Sequence, residues 1–576
     1  MTNSAPDSPE KVIPDASTTG GSKGNDPETG TSRSIPDVVR EEGRWSVAIL
    51  AAILLGAAAL YFSLYNPSRF GFYHDDSMYV TTARSLAEGQ GYRIISLPYE
   101  PAATKYPPFY PFLLSLIWRS NSHFPENVNA MVALSGIATL IFLSMIWQYF
   151  TRQGYATRWQ ALLIVAMVAV NWRIVIYATG VYSEMIYAAL SLVALFLAEE
   201  LGKSRESRVL GLTLGLVLGV AFLTRSTGVT LLMAVAVYSL LRRKIRPVLL
   251  PLAVGGLFVL AWVAWCHVNR TSVEGVNVAW YTDYFGHAKE VLLQLSTHKG
   301  TNMAVTLLNI AGGNTLMLAV SIPLVCLGMD YTWVFYLGFA LMFIAVGFIR
   351  EVSRGWRLLH VYVICYLVLH VVWLPFVAYD RYLLPILPFL LLWLVREIAS
   401  QALLVRGILV GEGSAIQKAS AGLIGLAVLL IVSMTAYSYG STFYLSLASA
   451  SLEKEVKPAE DDAEAIEWIK ANTDPADVLV CARDPMYFLY TGRKATRSIA
   501  VTAGIFWQDD LRRVLDVVDE SNGKYLVLTP GDFDYQPDLQ LSGFKDLIKE
   551  HPEKFALLFT SRNGRSTIYQ TRAETK

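Results

Sequence analysis

The feature that most constrains this chain is a series of long apolar runs separated by short loops rich in Lys and Arg. A helix of about 20 apolar residues crosses the hydrocarbon core of a bilayer. Runs of about that length lie at 45–64, 128–150, 159–177, 181–200, 208–223, 227–242 and 247–268, and again at 331–350, 358–378, 382–398 and 419–440. In lipid only α-helices and closed barrels satisfy every backbone N–H and C=O, so the pattern predicts an α-helical polytopic membrane protein. Composition agrees. Hydrophobic residues make up 53% of the 576 and charged residues 16%, against about 25% charged in soluble domains.

The loops give an orientation, because Lys and Arg in short loops mark the cytoplasmic side. They cluster at Arg40 and Arg44, at Arg152 and Arg158, at Lys203, Arg205 and Arg208, and from Arg242 to Arg246. Arg350, Arg354 and Arg357 follow, then Arg396, Arg406 and Lys418. One further apolar stretch, at 303–328, would break this alternation if it crossed once. Its Asn309, Gly312, Gly313, Asn314 and Pro323 suit a broken or interfacial segment, so zero or two crossings are expected. About 11–13 spans result, with a cytoplasmic N-terminus and the C-terminus on the periplasmic or extracellular side of an inner (plasma) membrane.

Three parts follow. Residues 1–43 form a cytoplasmic tail whose Ser, Thr, Pro, Gly and Asp cannot offset the entropy of ordering, so disorder is expected. The first apolar run starts only at Trp45, which reads as a retained span rather than a cleaved signal. Residues 44–442 form the membrane domain, with a large first external loop at 65–127. Residues 443–576 read as a small extracytoplasmic α/β domain, with helices at AEAIEWIKANT and DDLRRVLDVVDE and strands at DVLVCA and KYLVLTP. A net charge of +1 gives no bulk attraction for nucleic acid, and none is expected as a partner. Cys266, Cys326, Cys365 and Cys481 have neither disulfide nor metal-ligand spacing.

The first external loop opens with FYHDDSMYVTTARSLAEGQGY. Ser77 to Glu88 has helical composition and Gly89 and Gly91 stop it, which places Asp75 and Asp76 at a helix N-terminus. One carboxylate suffices to cap a helix. If Asp76 caps, Asp75 is left for other work, kept ionised by the helix dipole as a general base requires. Farther on, Lys105, Tyr106, Pro107, Pro108 and Pro111 precede an aromatic stretch that reads as a short helix on the membrane surface. Lys105 there either snorkels or meets a phosphate.

An acidic pair just after the first span, a helix ending in Gly, K-x-P-P with aromatics, and the later R-Y-x-x-P at Arg381, Tyr382 and Pro385 together resemble the GT-C superfamily of membrane glycosyltransferases. Within it the protein O-mannosyltransferases (family 39) and lipid A aminoarabinose transferases (family 83) are most similar. The resemblance implies a sugar transferase using a polyprenyl-phosphate donor, with a glycan, lipid or protein acceptor and membrane lipids as its other partners. It implies Asp75 as catalytic base. The family's second acid is more often Glu, so Asp76 either positions the acceptor or meets a metal; the resemblance decides neither for nor against a divalent ion, and no metal ligands are predicted.

Lone cations at the outer ends of spans need explaining. Arg381 and Arg225 suit a donor phosphate, which guanidinium binds through two parallel N–H donors, or else they snorkel. Arg173 is a third, without motif support. Glu184, at the outer start of a span, either pairs with Arg173 or Arg225 or stands near the donor, and Tyr382, Tyr106 and His74 are possible substrate contacts. His74 with His267 or His287 lacks tight ligand spacing. Two other classes remain: a transporter or flippase of a lipid-linked saccharide, disfavoured by the missing internal repeats and by ionisable groups gathered at one face, and an inactive scaffold or receptor.

Overall fold

The computed structural model describes residues 35–71, 74–203, 207–271, 279–298, 300–328, 334–373, 379–411, 414–448, 458–498, 508–530 and 537–572. Most of the tail expected to be disordered, residues 1–34, lies outside them. The first helix, Ile35–Leu64, begins ahead of the apolar run. The chain divides into two units, Met1–Val47 and Ala48–Lys576, and the architecture below is that of the second.

Among the described residues seven helices are long and apolar enough to cross a membrane: Arg44–Leu64, Val128–Arg152, Glu184–Lys203, Arg246–Val268, Met303–Leu327, Leu387–Val410 and Ala415–Leu445. Arg158–Val170 and Trp172–Ala178 form an apolar pair bent by 64°, a broken span or a re-entrant loop, and Arg208–Thr224, Ser226–Leu241 and Leu358–Val372 are shorter apolar helices. The protein is therefore a multi-pass α-helical membrane protein. Small residues set one close approach. A Cβ at Gly215 would meet Val254 at 2.7 Å and one at Gly219 would meet Phe258 at 2.3 Å, so glycines four apart let Arg208–Thr224 lie against Arg246–Val268. Arg225, which ends that helix, is carried to one end of the bundle by this packing.

The two ends of the bundle differ. At one, Arg357 donates to the Gln153 carbonyl at 2.5 Å, Arg396 to the Tyr155 carbonyl at 3.0 Å, and Arg350 pairs with Glu397 at 3.0 Å. These are the basic loops that the charge pattern grouped together. The other end holds Leu64, the Asp pair, Glu184, Arg225 and Arg381, and is called the site end below.

The stretch at 303–328 corrects one part of its expectation, that the segment is broken. It is not broken at Gly312 and Gly313 but runs as one 25-residue helix, Met303–Leu327, with Pro323 inside it. An apolar setting favours closing every internal backbone bond, and the polar group in the middle finds partners: Asn314 Nδ2 donates to the carbonyls of His370, Val371 and Trp373 at 2.8 to 3.2 Å. Toward its C-terminus the Val325 carbonyl accepts from Asn171 at 2.9 Å and the Cys326 carbonyl from Tyr439 at 3.0 Å. Asn171 stands at the bend of its helix pair, where its side chain also caps the second half and brings Arg173 to Asp380 at 2.9 Å. Middle and C-terminus of the Met303–Leu327 helix thus both meet the site end, and the helix slants across it.

The C-terminal region carries a five-stranded sheet: β1 (Val478–Cys481), β2 (Ala495–Arg497), β3 (Gly523–Leu528), β4 (Phe555–Thr560) and β5 (Thr567–Thr571), in the order β2-β1-β3-β5-β4. β1 pairs in parallel with β2 and β3, while β5 runs antiparallel to β3 and β4. Alternation along β1 sends Leu479 and Cys481 to one face, with Ile466, Ile469, Met486 and Tyr487, and Val480 to the other, with Val514, Val517 and Phe544. Helices cover both faces. The helix Asp484–Thr491 and strand β2 were not read from the sequence.

Candidate active site

The helix expected over Ser77 to Glu88 spans His74–Ala87, so the acidic pair lies inside its first turn. The carboxylates diverge. Asp76 is buried and turned back on its own chain, accepting from the Gly71 N–H at 2.9 Å and from the Ser77 N–H. Burial pushes its pKa up to about 8, against the pull of those two donors. Asp75 faces the other way, accepting from the Tyr106 hydroxyl on Oδ1 and from Arg381 Nη2 on Oδ2 at 2.7 Å. Burial alone would raise it. Arg381 and Lys105, with the Tyr106 hydroxyl, outweigh burial and hold it well below the usual carboxylate range.

Arg381 is shared. Its guanidinium also meets Glu184 Oε1 at 2.6 Å, where Arg225 arrives from a third helix at 2.8 Å. Glu184 is 1% exposed, and its Oε2 has no hydrogen-bond partner. Arg225 Nη1 also donates to Ser183 Oγ, at 3.0 Å. The Tyr382 ring lies 5.6 Å from both guanidiniums, close enough for cation–π attraction. Glu184 is therefore partnered by Arg225 together with Arg381, whereas Arg173 pairs with Asp380. Two arginines converge on one buried carboxylate, and one of them reaches on to Asp75.

On the far side of Asp75, Lys105 Nζ sits 4.8 Å from the Tyr106 ring centre and 4.7 Å from that of Tyr281. Burial brings its pKa down to about 7, against the raising effect of Asp75. His74 Nε2 pairs with Asp484 Oδ1 at 2.8 Å, and the imidazole stacks on Tyr281 at 5.1 Å. The Tyr281 hydroxyl accepts from Arg497 Nη1 at 2.6 Å. Asp484, Arg497 and Tyr281 had no sequence signal. The first two lie in a domain where charged side chains are ordinary, and they reach the site only through the packing of that domain on the first loop.

Among the described residues no three His, Cys, Asp or Glu side chains group closely enough to hold a metal ion. His267 is exposed and the side chain of His287 lies outside the described ones. All four cysteines are buried and unbridged.

Comparison with solved structures relates the chain to a known fold. ArnT from Cupriavidus metallidurans, bound to undecaprenyl phosphate, superposes with a TM-score of 0.50 at 14% identity, over 92% of this chain and 98% of the other. The oligosaccharyltransferase of Archaeoglobus fulgidus, tethered to an acceptor peptide, gives 0.53 at 12% identity over 91% and 74%. The same organism's AglB with an inhibitory peptide and dolichol-phosphate gives 0.50 at 11% identity over 93% and 75%. No family model matches the sequence and no curated protein matches it. At these identities the likeness is one of fold.

Proposed function

Starting from a chain with the GT-C-type fold of membrane glycosyltransferases, we propose that the site moves one sugar from a polyprenyl-phosphate-linked donor to an acceptor hydroxyl. The sharing of Arg381 between Asp75 and Glu184 is the observation that carries this reading. It supports the reading because one guanidinium, the proposed phosphate ligand, touches the proposed base. The two neighbours solved with undecaprenyl phosphate and with dolichol-phosphate support the donor class. The basic loops gathered at the opposite end support a site facing away from the cytoplasm, where the lipid supplies the activated sugar.

In this reading the acceptor oxygen attacks the anomeric carbon as its proton passes to Asp75. The bond from that carbon to the phosphate oxygen breaks, and one displacement inverts the carbon. The leaving polyprenyl phosphate gathers negative charge, which Arg381, Arg225 and Lys105 stabilise most in the transition state. Held by Arg381, Asp75 is a weak base. A donor phosphate competes for the same guanidinium, and as it draws Arg381 away the carboxylate regains basicity. Donor binding thereby prepares the base for the acceptor. Asp76, with both oxygens committed to its own turn and its pKa raised by burial, shapes that turn in this reading and is not the base.

The test uses purified protein with radiolabelled undecaprenyl-phosphate hexoses and pentoses. Wild type should transfer label, while Asp75→Asn should lose at least about a hundredfold in rate and still bind undecaprenyl phosphate. Transfer by Asp75→Asn at the wild-type rate would sink the assignment.

A further inference from the structure

The C-terminal domain docks on the first loop at several points. Lys494 Nζ donates to the Ile95 carbonyl at 2.6 Å and pairs with Glu100, and the Ala495 N–H donates to the Ser96 carbonyl at 2.9 Å. Arg84 lies over the Phe488 ring at 5.4 Å, and Tyr490 packs edge-on against Phe124 at 4.9 Å. These contacts are enough to dock the domain. One more contact differs in kind. Asp484 is fully buried, its Oδ2 has no hydrogen-bond partner, and its Oδ1 is spent on His74, the residue before Asp75. Beyond that one hydrogen bond, Arg497 and Lys105 act on Asp484 only through their charge; a buried carboxylate is costly, and the docking contacts above do not require one there.

Two neighbours show what the contact holds. Met486, two residues on, packs against Gly71: a Cβ on Gly71 would lie 2.3 Å from Met486 Cγ, and Gly71 sits at φ +86°. The Gly71 N–H is the one that binds Asp76. On the other side Arg497 fixes the Tyr281 hydroxyl, and Tyr281 stacks on His74. The domain therefore grips the first turn of the Asp75 helix from both sides, and Asp484 is the grip nearest the carboxylate.

We propose that Asp484 is a positioning residue of the transfer site, acting through His74 to hold the first turn of the Asp75 helix, and so the Asp75 carboxylate, in place as Arg381 moves to the donor phosphate, so that the C-terminal domain completes the site. The assignment rests on the transferase reading above. A misplacement of about 1 Å at a base can cost about a hundredfold in rate, which sets the scale of the effect.

Two measurements test it. With whichever undecaprenyl-phosphate sugar the wild type accepts, Asp484→Asn should lower kcat about tenfold to a hundredfold with the donor KM within about twofold. Asp484→Glu should restore part of it. His74→Gln should cost about as much, and the double variant no more than either single one, as for two residues acting as one unit. Lys494→Ala, which loosens docking away from His74, should leave kcat within about twofold. Equal losses in Lys494→Ala and Asp484→Asn, or additive losses in the double variant, overturn the proposal. The second measurement needs no turnover: amide hydrogen exchange across Asp75 to Tyr79 should quicken about tenfold in Asp484→Asn and not in Lys494→Ala. A wild type that transfers nothing removes the transferase reading, and unchanged exchange in Asp484→Asn removes the positioning role whatever the reaction.

Discussion

At the scale of single residues, the site is a balance of buried charges, and each can be tipped. Glu184 holds two arginines with one oxygen. Glu184→Gln removes the anion and leaves both cations in a desolvated place, which should cost about 3 kcal/mol of stability. Undecaprenyl phosphate supplies a replacement anion, so it should raise the thermal midpoint of Glu184→Gln more than that of wild type. An equal rise in the two proteins would mean that the lipid phosphate does not reach this pair. Lys105 gives a pH signature. Its pKa near 7 lies below that of an ordinary lysine, so the ammonium is present below pH 7 and lost as pH rises through it. The charged groups that set it are Asp75, Arg497, Arg381 and Asp484. Between pH 6 and 8 undecaprenyl phosphate binding to wild type should fall about tenfold relative to Lys105→Arg, the worth of one charge-assisted contact. Parallel pH curves for the two proteins would remove Lys105 from the phosphate site. Asp75, Arg381, Arg225 and Glu184 were legible in the sequence because a lone charge beside an apolar run is conspicuous. That Arg381 would bridge Asp75 and Glu184 was not, since the chain fixes positions and only packing fixes distances.

At the scale of elements, two local devices hold the site in shape. The first is the turn before the His74–Ala87 helix, where Gly71 combines a positive φ with contact against Met486. Gly71→Ala should cost about 1–2 kcal/mol from strain alone, and the clash with Met486 adds to it. Chemical denaturation in detergent would measure the loss, and a variant as stable as wild type would mean that the C-terminal domain does not seat there. The second is the Asn314 amide, which serves three carbonyls at the end of Leu358–Val372. Asn314→Leu removes that donor from all three, at about 1–3 kcal/mol. It should also loosen the Leu358–Val372 end near Arg381, visible as faster hydrogen exchange at Leu367 to Val372. Asn314 also shows why the stretch at 303–328 was misread. Gly, Asn and Pro disfavour helix in water, but in an apolar setting the backbone has no other donor to turn to. Helix propensity yields to the need for internal hydrogen bonds.

At the scale of the whole molecule, the site draws on parts of the chain that are far apart in sequence. His74 and Asp484 are 410 residues apart, and Lys494 reaches Ile95 across 399. The membrane bundle was readable from hydropathy and loop charge because each span is a local signal. The α/β character of the tail was readable from its alternating strands. The seam between them was not, because nothing in residues 478–497 marks them as neighbours of residues 71–106 until both have folded. The Asp484–His74 pair also has a consequence for how the protein is made. At about 5–20 residues per second, roughly 20 to 80 seconds pass between synthesis of the Asp75 helix and emergence of the strand that carries Arg497. Late in that interval Asp75, Arg225 and Arg381 have all been made, but the grip on the Asp75 turn does not exist. On the proposed reading, a nascent or truncated chain turns over lipid-linked sugar slowly until its last domain docks, so chain completion sets when the site works.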